Sequence, residues 1–252
     1  MKILKICIGL IVSVYVLIGA CLFMFQRDFV YFPTEETPHA YQTEKLSINE
    51  ESINVVVVNS EMSDAILYFG GNGETVANMA PDFAKTFPNH TVYLVNYRGY
   101  GGSSGIPTEN NLYTDASAIY DLVTIRHKNL SVIGRSLGTG VATYLASTKV
   151  IHKLVLVTPF DSAEHIAQDQ YPFYPISILF LDKYNSFDRV DKIKSPTLII
   201  LAEKDLEIPA KYSSRLIGKF PTSQIEVSTI KETGHNNIIK TTTYLSLLDE
   251  FI

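Results

Sequence analysis

From Ala65 onward the chain sets short, unbroken apolar runs against longer stretches of helical spacing, and few folds accommodate that alternation. The runs at 65–69, 92–96, 131–133, 153–157, 197–201 and 224–228 are too short for helices. Most of them also lack the polar alternation of a half-solvated sheet, so they predict parallel strands buried on both faces. Helical spacing at Leu112, Ala116, Ile119, Tyr120 and Val123, at Val141, Ala142 and Leu145, and at Tyr244, Leu247, Leu248 and Phe251 predicts helices that cover this sheet. Two earlier runs, 44–48 and 53–58, add strands in a possible hairpin, giving an α/β fold with a mostly parallel, eight-stranded sheet. The rhythm breaks once, over 170–191, which reads as a short insertion above the sheet.

The N-terminus obeys a different rule. Between residues 3 and 25 only Lys5 is charged at neutral pH, and about 20 apolar residues suffice to span a bilayer. Lys2, Lys5 and the α-amino group precede the span, while Arg27 is offset by Asp28, a bias that favours a cytoplasmic N-terminus. The expected organisation is a transmembrane signal-anchor over 1–26 and one domain over 27–252 on the non-cytoplasmic side. A cleaved secretory signal ending at Gly19 and Ala20, or lipoprotein-like processing at Cys21, are the rival readings. Against both, Leu22, Phe23, Met24 and Phe25 continue the apolar run.

The 26 acidic and 21 basic residues include no basic block, which argues against nucleic acid as a partner and leaves small molecules or lipids. Both cysteines, Cys7 and Cys21, fall inside the apolar segment, and none of the six histidines sits in a His-Glu-x-x-His run. No metal or other cofactor is expected, so any chemistry falls to ordinary side chains.

One pentapeptide matches a catalytic pattern. Gly134-Arg135-Ser136-Leu137-Gly138 has the form G-x-S-x-G, and it lies directly after the run 131–133 and before a small-residue-rich helical stretch. A sharp strand-to-helix turn strains its central residue and crowds its neighbours, which is why glycine is wanted two residues to either side. Such a turn leaves Ser136 at its tip. The pentapeptide alone is weak, but an acid and then a histidine follow it, each after a later strand. Asp205 lies just beyond 197–201, with Glu203 and Glu207 as rival acids, and His235 follows the last strand in Thr233-Gly234-His235.

Serine needs these partners because its hydroxyl is a poor nucleophile until a neutral imidazole removes the proton. A short carboxylate then holds the imidazole tautomer, which suits Asp205 better than a longer Glu. The charge that develops on the attacked carbonyl oxygen needs backbone N–H donors. One should come from Leu137, after the serine, and the other from the glycine-rich turn Gly70-Gly71-Asn72-Gly73, where Asn72 is best placed. That turn lacks the Lys-Ser/Thr of a phosphate-binding loop.

With these residues in view, the chain resembles the membrane-anchored branch of the α/β-hydrolase-domain proteins, serine hydrolases with one N-terminal transmembrane helix. The resemblance rests on Phe25-Gln26-Arg27, Val30-Tyr31-Phe32-Pro33, Gly70-Gly71-Asn72-Gly73, Asn96-Tyr97-Arg98-Gly99-Tyr100-Gly101, the Ser136 motif, Asp205 with Ile208-Pro209, and Gly234-His235. It implies the α/β-hydrolase fold, nucleophile Ser136, acid Asp205, base His235, and oxyanion donors at Asn72 and Leu137. Gly70 departs from the pattern, since relatives usually carry His there.

Other residues carry two readings. Arg98 and Arg135 could grip an anionic substrate, although structural ion pairing is the commoner fate of loop arginines. Asp161 is a second candidate acid, one strand too early. Asn89-His90-Thr91 and Asn129-Leu130-Ser131 fit glycosylation acceptors but touch strand starts. The insertion holds Phe173, Tyr174, Ile176, Leu179 and Phe180, an apolar density suited to a lid over an acyl site, or to ordinary core packing. The leading expectation is hydrolysis of a carboxylic ester or thioester of a lipid or other acyl substrate. A serine peptidase, with Asp161 and Glu164 holding a peptide amine, and a non-catalytic membrane scaffold are the alternatives.

Overall fold

A computed structural model describes residues 1–252. An N-terminal helix α1 (Lys2–Phe25) leads through a single 3₁₀ turn into an eight-stranded sheet with spatial order β1-β2-β4-β3-β5-β6-β7-β8. The strands are β1 (Gln42–Ile48), β2 (Glu51–Val58), β3 (Asp64–Phe69), β4 (His90–Val95), β5 (Asn129–Arg135), β6 (Leu154–Val157), β7 (Thr197–Ala202) and β8 (Ile225–Ile230). Strand β2 alone runs against the rest, antiparallel to β1, with which it forms a hairpin, and to β4; every pairing from β4 across to β8 is parallel. The remaining helices are α2 (Ala80–Thr86), α3 (Glu109–Thr124), α4 (Leu137–Thr148), α5 (Ala163–Gln170), α6 (Ile176–Leu179), α7 (Ala210–Ile217) and α8 (Thr242–Phe251).

Strand alternation divides the core between two faces. Along β3, Ala65, Leu67 and Phe69 point into one apolar cluster, with α3, α4 and α7, while Ile66 and Tyr68 point into the other, with α2 and α8. Each of these five side chains is at most 1% exposed, so a fully buried Leu or Phe here contributes about 1.5–3 kcal/mol of transfer free energy. Helices on both faces force every connection between parallel strands to cross over, which brings the loops after β3, β5, β7 and β8 to one edge of the sheet.

The sequence expectations meet the structure unevenly. All eight runs are strands, with β5 extending two residues further at each end than 131–133. Helical spacing identified α3, α4 and α8, whereas the short α2, α5, α6 and α7 went unread. The cap above the sheet also begins earlier than residue 170, because α5 already belongs to it.

Candidate active site

Ser136 occupies the turn between β5 and α4 with φ 49° and ψ −118°, a conformation costly for a residue with a side chain. The chain can turn so tightly because a Cβ on Gly138 would run into the carbonyl oxygen of Phe69, and one on Gly134 into Gly138 and Ala142. The strained residue is held from both sides: its N–H donates to Val157 O at 2.9 Å, and its carbonyl accepts from the N–H and hydroxyl of Thr139.

The structure brings the three expected side chains together. His235 Nε2 lies 2.8 Å from Ser136 Oγ, and His235 Nδ1 lies 2.8 Å from Asp205 Oδ2. The other Asp205 oxygen accepts from the N–H groups of Glu207 at 3.0 Å and Ile208 at 2.8 Å, which fixes the carboxylate toward the imidazole. The rival acids lie elsewhere: Glu203 accepts from Glu232 N–H, and Glu207 is largely exposed, 3.9 Å from the imidazole. Asp161, wholly buried, is bound to His165 at 2.9 Å and to Arg215 at 3.1 Å.

Asn72 and Leu137 both border the cavity above Ser136. As the first residue of α4, Leu137 has no intrahelical acceptor for its N–H. The loop carrying Asn72 is fastened through its carbonyl, which accepts from Phe32 N–H at 2.9 Å and from the Tyr100 hydroxyl at 2.6 Å. The Asn72 side chain donates to Val30 O at 3.2 Å.

One residue of the site went unrecognised in the sequence. Glu74 lies almost buried, paired with Arg135 at 2.7 Å, and it also accepts from the Gly71 N–H at 2.9 Å and from the Tyr68 hydroxyl. Arg135 in turn donates to His235 O at 3.1 Å and Asn236 Oδ1 at 2.8 Å. This pair therefore ties the Asn72 loop, the serine turn and the histidine loop into one network. Burial opposes the Arg135 charge, but Glu74 beside it keeps the guanidinium above its usual range. Burial and then the same carboxylate push the Tyr68 phenol well above its usual range. Arg98 is likewise committed, in a buried two-pronged pair with Asp115 at 2.8 Å per bond, so neither arginine is free for a substrate anion.

Above Ser136 lies a cavity of about 340 Å³ lined by 19 residues, 15 of them hydrophobic, an apolar character that suits a hydrocarbon chain. Tyr174, Ile176, Leu179 and Phe180 line it as expected of a lid. Phe173 does not; it stands 84% exposed at the lid's tip, a correction to its reading as a pocket residue. Two walls were not anticipated. One is α5, through Ala163, Ile166, Ala167 and Gln170, whose i, i+3, i+4, i+7 spacing is the signal that could have revealed it. The other is the foot of α1, through Leu22 and Phe23, with Gln26 just beyond its end.

A model of the α/β-hydrolase fold matches residues 65–184, from β3 through the serine turn into the cap. An uncharacterized protein of Mycobacterium tuberculosis is 30% identical over 93% of this chain and 90% of its own. The chain has the α/β-hydrolase fold. An α/β-hydrolase domain-containing protein 17C of Xenopus tropicalis is 30% identical over 74% of this chain, which spans only 61% of that relative's length. Among solved structures, Est1E of Butyrivibrio proteoclasticus superposes with a TM-score of 0.69 over 83% of this chain and 96% of its own, at 15% identity, a likeness of fold.

Proposed function

We propose that this α/β-hydrolase is a serine hydrolase of carboxylic esters or thioesters carrying an acyl or lipid chain, held to a membrane by α1. The observation that carries this reading is His235 bridging Ser136 Oγ and Asp205 Oδ2, at 2.8 Å to each, with Ser136 facing an apolar cavity. In the first step Ser136 Oγ bonds to the substrate carbonyl carbon while His235 Nε2 takes the hydroxyl proton. The imidazolium so formed is stabilised by Asp205, and the new oxyanion by the N–H groups of Asn72 and Leu137. Collapse breaks the bond to the leaving alcohol or thiol, which departs with the proton held by His235. Water, deprotonated by the same imidazole, then attacks the acyl-enzyme, frees the acid and restores the serine.

Tyr174, Leu179 and Phe180 support the acyl preference by walling the cavity with hydrocarbon surface. The peptidase alternative loses its amine-binding carboxylates, since Asp161 is neutralised by Arg215 and Glu164 pairs with Lys183 at 3.0 Å. Helix α1 is long and apolar enough to cross a bilayer by length and composition, and its N-terminal lysines favour a cytoplasmic start with the hydrolase domain beyond the membrane. A panel of esters and thioesters of graded acyl length, run beside aminoacyl amides, tests the reading. The expected result is turnover of the acyl substrates that is lost in Ser136→Ala; cleavage of the amides alone would overturn it.

A further inference from the structure

The foot of α1 does not hang free from the domain; it is docked against the lid over several turns. Tyr15 stacks on Tyr174 with ring centroids 4.6 Å apart, and its hydroxyl donates to Phe173 O at 2.6 Å. Gly19 leaves room for the edge of the same Tyr174 ring, which would sit 3.0 Å from a Cβ placed there. Two turns further, the buried Gln26 amide clasps lid backbone from both ends: its Nε2 donates to Leu179 O at 3.2 Å, and its Oε1 accepts from Leu181 N–H at 2.7 Å. Arg27 closes the series with Asp182 at 3.0 Å.

This docking sets the depth of the lid. Tyr15 and Gln26 are eleven residues apart, about 16 Å along the helix axis, roughly half of a hydrocarbon layer about 30 Å thick. A tilt of about 20° barely shortens that projection. A lid fastened at both Tyr15 and Gln26 therefore cannot stand clear of the layer that surrounds the helix. Its composition agrees. Residues 171–181, Tyr-Pro-Phe-Tyr-Pro-Ile-Ser-Ile-Leu-Phe-Leu, contain no acidic, basic or histidine side chain. Yet Phe173 is 84% exposed, Ile178 78% and Leu181 49%, an apolar surface that water would penalise and lipid would not. The charges that flank this segment are paired, Asp182 with Arg27, Lys183 with Glu164 and Asp169 with Lys211.

We propose that lid residues 171–181 and the C-terminal half of α1 form one membrane-immersed unit, and that the acyl chain of a membrane-resident ester passes sideways from the hydrocarbon layer into the cavity above Ser136. Phe23 marks the passage: it lines the cavity while remaining 44% exposed on the helix surface that lipid would cover. The wall between substrate and bilayer is thus a single side chain thick. An ester whose chain is already in the membrane reaches the serine without carrying that chain through water, a transfer that each exposed methylene makes more costly.

The inference rests on the anchored acyl-hydrolase reading, and the experiment separates the two. The chain has no tryptophan, so Phe173→Trp and Ile178→Trp each place one fluorophore on the lid of the full-length protein. Both variants are reconstituted into phosphatidylcholine vesicles with plain or brominated acyl chains, and retention is checked by carbonate extraction. Quenching of both fluorophores by the brominated lipid is expected. Retained protein with unquenched, water-like emission overturns the immersed lid while leaving the anchor and the triad intact. Recovery in the soluble fraction overturns the anchor reading and this inference together. In wild-type vesicles, a long-chain ester placed in the enzyme's own bilayer should turn over at least ten-fold faster than the same ester supplied in separate vesicles; equal rates overturn sideways passage.

Discussion

The floor and the roof of the cavity are built on opposite principles. The floor consists of loops from four strand ends, and its polar side chains are buried and bonded to one another: Ser136, His235, Asp205, and beneath them Arg135 with Glu74. The roof consists of α5, the lid and the foot of α1, where contacts are apolar, side chains are half exposed, and a few hydrogen bonds at Tyr15 and Gln26 hold the parts together. Chemistry needs atoms fixed to within fractions of an ångström, which a satisfied polar network on rigid strands provides. Selection of a hydrocarbon chain needs area rather than geometry. Substitutions in the floor should therefore lower turnover for every substrate, and substitutions in the roof should alter which substrate is preferred.

The sharpest separation comes from Ser136→Ala, which should lower kcat by about 10⁶ on short and long esters alike, measured against spontaneous hydrolysis. Asp205→Asn should cost about 10⁴, because the imidazole loses the partner that holds its tautomer. A comparable loss in Asp161→Asn with Asp205→Asn unaffected would move the acid to β6. Glu74→Gln should act on stability as well as rate. It leaves the Arg135 charge buried without its partner, a loss of about 3–5 kcal/mol in denaturant unfolding of the detergent-solubilised protein. An unchanged midpoint would show that the floor does not depend on that pair.

In the roof, Leu179→Ser combined with Phe180→Ser should flatten the dependence of kcat/KM on acyl length, which in the wild type should rise by up to about 0.8 kcal/mol per methylene until the cavity is full. Equal losses on acetyl and long-chain esters would assign these two residues to the floor's scaffold and break the comparison. The smallest effect is expected from Glu207→Gln, within about 1 kcal/mol of wild type, since this largely exposed carboxylate is 3.9 Å from the imidazole in screened solvent.

The same contrast explains which parts of the molecule are legible in its sequence. The meeting of Ser136, Asp205 and His235 was legible because the proposed acyl transfer requires particular residue types, and strand-end loops display them beside short apolar runs. The sheet was legible because strands buried on both faces cannot be polar. Glu74 was hidden: it stands in a glycine-rich turn without a sequence pattern of its own, and its partner Arg135 is distant along the chain. Leu22 and Phe23 were hidden for a different reason. A residue that faces lipid and one that faces an apolar cavity satisfy the same hydropathy, so the apolar run of α1 could not disclose that its last turn is also a wall. Phe173 was misread by the converse of that argument, as an aromatic in an apolar segment that in fact points away from the cavity.

The most direct test is labelling of the folded, full-length protein with a fluorophosphonate, followed by mass analysis of its peptides. The strained backbone at Ser136 and the imidazole 2.8 Å from its hydroxyl predict one covalent adduct, on the peptide bearing Ser136, absent from Ser136→Ala and strongly slowed in His235→Ala. Adduct on another serine, or equal labelling of Ser136→Ala and wild type, would contradict the account.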